Sequence, residues 1–272
     1  MVDISEQTLN KFKTNKSQSF LISDFDGTLS KIVAEPGAAT IDEVAFKNFT
    51  ALSEIFSFIG ILTGRPFSFI SRLLEENLES GKKFTGRFLL FSLYGNERSE
   101  LNKDFKFNSP EVFQYSSKIK YSLSELQTRK LMDLPKGVFV EDKGLTIAVH
   151  VRNSSTNVDD LISNINVRDE FPDFEVFKGR EHFEIRPKRF LDKGDIIREL
   201  GQSLSGIYIG DDTSDIPAFN AIDALSMNSK ERSYLKVAIF NRETESILFD
   251  SADIVLDSQE EVAEFFEVLR RL

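Results

Sequence analysis

The hydrophobic positions of this chain form short unbroken runs towards both ends and alternating runs in the middle. Phe20-Leu21-Ile22 leads into Ser23-Asp24, and Phe58-Ile59-Gly60-Ile61-Leu62 leads into Thr63-Gly64-Arg65-Pro66. Phe88 to Leu93 is a third run. Short continuous apolar runs predict strands buried on both faces, as in a parallel sheet. Beyond Pro66, residues Phe67, Ile70, Leu73, Leu74 and Leu78 take helical spacing, and Pro66 suits a first helical turn. The rhythm resumes after residue 186. Lys193-Gly194 precedes a helix over Asp195 to Leu200, and Gly206-Ile207-Tyr208-Ile209 is a strand running into Gly210-Asp211-Asp212. Val237 to Phe240 and Ile254 to Leu256 read as further strands, and Ser258 with Glu261 has capping-box spacing at the start of a last helix. Strands alternating with helices predict an α/β fold, an open, Rossmann-like parallel sheet covered on both faces.

The middle of the chain has a different period. Val138 to Glu141, a turn at Asp142-Lys143-Gly144, and Leu145 to Arg152 read as an antiparallel hairpin. Leu145, Ile147, Val149 and Val151 share one face, and Thr146, Ala148, His150 and Arg152 share the other. A helix over Val158 to Val167 follows, then a second strand pair turning at Gly179-Arg180, where Phe183 and Ile185 alternate with His182, Glu184 and Arg186. The expected organisation is a sheet domain over 1–104 and 187–272, with an inserted α+β domain over 105–186.

Composition narrows the chemistry. The 272 residues carry a formal net charge of −10, which disfavours a nucleic-acid or anionic-membrane surface. No cysteine is present, so thiol nucleophiles, disulfides and zinc thiolates are excluded. No apolar run approaches the ~18 residues of a membrane span, and the polar first residues contain no apolar signal core. A cytoplasmic address is the expectation. Phenylalanine is abundant, at 26 residues, and tryptophan is absent; a Phe-filled core accounts for this better than a stacking platform.

Four segments carry the candidate chemistry, and three of them follow a predicted strand, on the sheet edge where open α/β proteins bind ligands. Asp24-Phe25-Asp26-Gly27-Thr28 sets two carboxylates either side of one residue, a nucleophile beside an acid/base. Thr63-Gly64-Arg65 offers a hydroxyl and backbone N–H groups at a helix start, suited to a phosphoryl oxygen. Lys193 can place one positive charge on that oxygen. Asp211, Asp212 and Asp215 crowd one loop, and carboxylates so packed call for a hard cation; oxygen ligands without histidine suit Mg²⁺ rather than zinc. Singly, each segment has a plainer reading as a capping loop or a solvated lysine. In this order and on these elements they act as a set.

The set resembles the four motifs of the haloacid-dehalogenase superfamily of phosphatases, and the insertion resembles a type-2 cap. SDFDGTLSKIVAEPGAA, LTGRP, GLTIAVHVR, FEIRP, DKG and GDDTSDIPAF are most similar to trehalose-6-phosphate phosphatases. The resemblance implies Asp24 as nucleophile, Asp26 as acid/base, and Thr63 and Lys193 as phosphate holders. It implies Mg²⁺ bound by Asp24, Asp211 and the Asp26 carbonyl, with Asp215 in support. On the substrate side, Gly64 and Arg65 flank the phosphate. If the polar face of the cap strands looks into the crevice, Glu184 would accept from sugar hydroxyls, with His150, Arg152 and Arg186 around it. The implied partner is a small-molecule sugar phosphate, with no nucleic acid and no membrane. Two positions depart from the family pattern: Tyr94-Gly95-Asn96-Glu97-Arg98 stands where Gly–Asn/Glu–His–Gly is usual, and Ile216 follows the last motif aspartate where Glu is usual. A sucrose- or mannose-phosphate type of capped phosphatase or phosphomutase remains open, as does a non-catalytic phospho-acceptor; Asp26 speaks against the latter.

Overall fold

The structure is a computed structural model that describes residues 12, 18–33, 36–78, 86–113, 117–179, 181–240 and 246–271. Among these no helix is long and apolar enough to cross a membrane. The chain divides into two compact units, Met1–Val112 with Leu191–Leu272, and Phe113–Phe190. In chain order the first unit begins with β1 (Ser19–Ser23), α1 (Glu43–Ala51), β2 (Phe58–Leu62), α2 (Phe67–Leu78), β3 (Phe88–Ser92), β4 (Glu97–Glu100) and β5 (Glu111–Val112). The second unit holds α3 (Ser117–Lys130), β6 (Phe139–Asp142), β7 (Ile147–His150), α4 (Val158–Ile165), α5 (Val167–Glu170), β8 (Phe174–Lys178) and β9 (His182–Pro187). The first unit resumes with α6 (Lys193–Gly201), β10 (Ser205–Gly210), α7 (Ile216–Asn228), β11 (Tyr234–Ile239), α8 (Ser246–Ser251), β12 (Ile254–Leu256) and α9 (Glu261–Arg270).

The sheet of the first unit runs in the order β12-β11-β10-β1-β2-β3-β4-β5. It is parallel from β12 to β3 and antiparallel at β4 and β5. Continuous apolar strands arise because each strand feeds two layers. On β1, Leu21 packs with Phe46 and Phe49 of α1 and Phe265 and Phe266 of α9. Phe20 and Ile22 pack on the other side with Ile196 and Ile197 of α6 and Ala218 and Phe219 of α7. Phenylalanine fills this core as expected: Phe49 meets Phe88 edge-on at 5.8 Å between centroids, and Phe20 stacks on Phe58 at 6.1 Å. Each such ring contributes roughly 1.5–3 kcal/mol by leaving water. From β1 the chain winds outward to β2 and β3, and later returns to β10 on the other flank. β1 and β10 therefore form the switch point of the sheet, where a crevice opens at the strand carboxyl ends.

The second unit is a four-stranded antiparallel sheet in the order β6-β7-β9-β8. Ile147 and Val149 of β7 and Phe183 and Ile185 of β9 bury one face against Leu126 of α3 and Leu161 and Ile165 of α4.

The structure corrects several expectations. The units divide at 112/113 and 190/191 rather than near 104 and 187; at the first of these, β5 pairs with β4 and so belongs to the large sheet. The helix expected over Val158 to Val167 breaks at Asn166, whose left-handed φ of 51° ends α4 before α5 begins. The Ser258–Glu261 capping box does not form: Glu261 instead accepts from the Asp257 backbone, and α9 starts without a side-chain cap. On the face that Thr146 and Ala148 share with His150 and Arg152, Thr146 and Ala148 are buried, as is Glu184. The turn at Gly179-Arg180 falls partly outside the described residues.

Candidate functional site

Asp24 follows the last residue of β1, and its backbone N–H donates to Ile209 O of β10 at 2.8 Å, which fixes where the strand ends. Its Oδ1 accepts from Phe25 N at 2.7 Å, so the carboxylate is oriented by its own loop. The neighbouring strand end supplies Asp211, and the next supplies Thr63 after β2. Gly27 permits this closeness. Its φ is +74°, and a Cβ there would lie 2.0 Å from Asp211 Oδ2. Gly64 has a like role, since a Cβ would lie 2.7 Å from the Tyr94 ring.

Lys193 opens α6, held by a capping box between Asp192 and Asp195. Its side chain is 1% exposed, and Nζ lies 2.9 Å from Asp24 Oδ2 and 2.7 Å from Asp215 Oδ1. One buried ammonium thus bridges two buried carboxylates. Burial alone would lower the Lys193 pKa, but Asp215 and Asp24 hold it above its ordinary value. Burial pushes the Asp24 carboxyl up to about 8, against the pull of Lys193. Burial, then the charge of Asp24, raises Asp211 well above the usual carboxylate range.

Asp215 is a scaffold in this cluster. Its Oδ2 accepts from the Asp211 and Asp212 backbone N–H groups at 2.9 and 3.0 Å, and its Oδ1 accepts from Lys193 and the Tyr208 hydroxyl. Four donors occupy the lone pairs of one carboxylate. Asp212 faces solvent and caps the Thr213–Asp215 turn. Asp24, Asp211 and Asp215 each offer a carboxylate oxygen within 4.8 Å of one another. Ionising all three beside a single lysine would leave excess negative charge in a buried space. The donor set fits a hard divalent cation such as Mg²⁺.

Asp26 is treated differently from Asp24. Its side chain is 38% exposed, and both oxygens are gripped by Arg65, Nε to Oδ2 and Nη2 to Oδ1 at 2.7 Å each. Arg65 also lies over the Phe69 ring at 4.9 Å. The arginine expected beside substrate is thus placed on the acid/base candidate. Thr63 is buried, and its Oγ1 accepts from Arg65 N at 3.1 Å.

In the second unit, Glu184 is 1% exposed and meets the Thr146 hydroxyl and, at 3.4 Å, Lys143 Nζ. Its Oε2 is buried with no hydrogen-bond partner among the described residues. Arg152 pairs with Glu181, and Arg186 with Glu175 at 3.0 Å, so these two arginines have carboxylates of their own. His150 and His182 stack at 5.7 Å, and His150 Nε2 lies 3.0 Å from Glu141. Sequence reasoning missed Tyr208, Lys143 and Thr146. For Tyr208 a signal existed: a hydroxyl in an otherwise aliphatic strand must find a buried partner.

A family profile described as trehalose-phosphatase matches residues 22–253. A trehalose-phosphate phosphatase of Mycolicibacterium paratuberculosis is 30% identical over 73% of this chain and 50% of its own length. The chain therefore spans about half the length of that relative. The C-terminal domain of the C. albicans trehalose-6-phosphate phosphatase superposes with a TM-score of 0.72 at 19% identity, over 100% of this chain and 99% of that domain. A haloacid dehalogenase-like hydrolase from Bacteroides thetaiotaomicron superposes with a TM-score of 0.60 at 16% identity, over 92% of this chain and 99% of its own. The two superpositions establish a haloacid-dehalogenase-like fold, and with the profile spanning both arms of the first unit, the chain belongs to the trehalose-phosphatase family.

Proposed function

We propose that this protein hydrolyses trehalose 6-phosphate to trehalose and phosphate through a phosphorylated Asp24, with Mg²⁺ in the site. The observation that carries the reading is Lys193 bridging Asp24 and Asp215 beside Asp211 at the carboxyl ends of β1 and β10. That cluster offers a carboxylate nucleophile, a fixed cation and a place for a second, and the substrate follows from the family and the names of the relatives.

Asp24 attacks phosphorus in line, forming a carboxylate–phosphate bond as the bond to the sugar oxygen breaks. The departing electron pair takes a proton from Asp26. Arg65 holds both Asp26 oxygens, so the carboxyl must turn one oxygen from the guanidinium towards the leaving group. Asp26 then accepts a proton from water as that water attacks phosphorus, and Asp24 is released with inorganic phosphate. The Thr63 hydroxyl, backbone N–H groups of the 63–65 loop and Lys193 carry the negative charge of the phosphoryl oxygens, the main demand of this chemistry. Asp24, Asp211 and the Asp26 carbonyl would hold Mg²⁺, which supplies further charge neutralisation there. In the second unit, Glu184 is the group proposed to accept from a sugar hydroxyl, since a buried carboxylate oxygen calls for a donor.

A phosphate-release screen with Mg²⁺ over trehalose 6-phosphate, sucrose 6-phosphate, glucose 6-phosphate and mannose phosphates tests the substrate. Trehalose 6-phosphate should give the highest kcat/KM. A higher value on any other ester overturns the substrate, and no release from any ester overturns the activity.

A further inference from the structure

The departure at Tyr94–Arg98 coincides with the most contorted backbone of the first unit. Leu93, Tyr94 and Gly95 have φ of 46°, 59° and 94° in succession, and two of the three are not glycine. Left-handed backbone at consecutive bulky residues persists only when the surroundings hold it there. Here the turn is tied to the loop after β2: Leu93 N donates to Arg65 O at 3.0 Å and Tyr94 N to Thr63 O at 2.9 Å. Tyr94 also fills the space left by the missing side chain of Gly64.

The residue after the turn faces the other way. Asn96 is completely buried, and its Nδ2 donates to Leu93 O at 2.7 Å and to Leu191 O at 3.3 Å. Leu191 N in turn donates to Asn96 Oδ1 at 3.3 Å. Leu191 lies two residues before Lys193. Two flanking side chains tie β4 to α2 and to α6. Glu97 accepts from Phe67 N, the first residue of α2, at 2.7 Å, and Arg98 grips Glu199 of α6 at 2.8 and 2.9 Å.

We propose that Asn96 is a positioning residue for phosphoryl transfer, clasping the segment that delivers Lys193 to the strained turn that holds Thr63 and Arg65. Thr63 and Lys193 come from strands and helices far apart in sequence, and both must meet the same phosphoryl group. The β1 and β10 pairing sets Asp24 against Asp211, but no sheet hydrogen bond links the end of β2 to the start of α6. The amide of Asn96 supplies that link with donors on one atom and an acceptor on the other. The inference rests on Thr63 and Lys193 being the phosphate holders.

The test is a double-mutant cycle between Asn96→Ala and Thr63→Ala, with Asn96→Ser as the second variant should the alanine fold poorly. Each is assayed on p-nitrophenyl phosphate with Mg²⁺, together with the inhibition constant of inorganic phosphate and a thermal melt. Asn96→Ala should lower kcat/KM about ten- to thirtyfold and weaken phosphate inhibition, as expected for a lost geometric constraint rather than a lost catalytic group. In the Thr63→Ala background the further loss should fall below about threefold, since coupled sites are non-additive. Glu97→Gln, which keeps an acceptor for Phe67 N, should remain near the parent. Parent-like kinetics and phosphate inhibition in Asn96→Ala overturn the inference. A loss of the same factor in both backgrounds overturns it too, because Asn96 would then act independently of Thr63. A lowered melting temperature with unchanged constants for the folded enzyme leaves Asn96 a stability residue only, which also overturns it. Full activity of Thr63→Ala would remove the site assignment beneath the inference and the inference with it.

Discussion

Two aspartates separated by one residue meet opposite environments. Asp24 is buried on a lysine, whereas Asp26 is partly exposed on an arginine. Asp24→Asn should give a folded protein with essentially no turnover, because an amide is a poor nucleophile; substantial hydrolysis by a clean preparation would rule Asp24 out. Asp26→Ala should cost much more on a sugar phosphate than on p-nitrophenyl phosphate, whose leaving group needs no proton. Equal losses on both esters would refute the donor role. The buried carboxyls also set a pH dependence. The Asp24 pKa is about 8 in the fold against an ordinary 3.8, so between these values the unfolded chain has released a proton that the folded chain keeps. Stability from this group is therefore full below the ordinary value and lost as pH rises through about 8, and Asp211 shifts in the same direction. The metal-free protein should melt lower at pH 9 than at pH 6, and Mg²⁺, which replaces those protons, should raise the midpoint more at pH 8 than at pH 5. An equal Mg²⁺ effect at both values would mean that the cation binds elsewhere. Motif spacing singled out Asp24, Asp26, Thr63 and Lys193 as candidates. The Arg65 grip on Asp26 was not, because a side chain's partner is set by which loops the sheet brings together.

Elements place these groups through their ends. Lys193 is the first residue of α6, so the Asp192–Asp195 capping box aims it as well as starting the helix. Asp192→Ala should cost about 1 kcal/mol of stability, read from urea midpoints, and should reduce kcat more than a comparable loss at a remote helix does. An unchanged midpoint would show the box to be idle. Gly27→Ala should inactivate the enzyme, because its Cβ would lie 2.0 Å from Asp211 Oδ2 at a φ of +74°; parent-like activity would mean that the loop relaxes freely. The element pattern was well read where runs are continuous: β2 and β12 end where the apolar run ends. It failed where a tertiary partner took over. Glu261 turned from Ser258 to the Asp257 backbone, and Asn166 broke a helix whose apolar spacing continued through it.

Across the whole molecule, the large unit carries the groups proposed for phosphoryl transfer, and the small unit carries a buried carboxylate, Glu184. Losing a charged partner to a sugar hydroxyl costs roughly 1.5–3 kcal/mol, about ten- to a hundredfold in kcat/KM. Glu184→Ala should therefore lower kcat/KM on trehalose 6-phosphate by about that factor and leave p-nitrophenyl phosphate nearly unchanged. Parent kinetics on the best sugar phosphate would remove Glu184 from the substrate site, and equal losses on both substrates would make it structural. Arg152 and Arg186 were read as companions of Glu184 from strand alternation, which gives the face of a side chain but not its neighbour across the strands. Lys143, from the hairpin turn, and Thr146 meet Glu184. The sequence by itself determined the parallel sheet, the aspartates proposed for catalysis and the family, because buried runs and motif spacings are local and survive in one dimension. Only the tertiary structure decided that Asp215 scaffolds the cluster, that Arg65 holds Asp26 and that Asn96 ties the turn after β3 to the segment before α6. Those contacts join residues up to 95 positions apart, and their partners are chosen by packing rather than by neighbours in the chain.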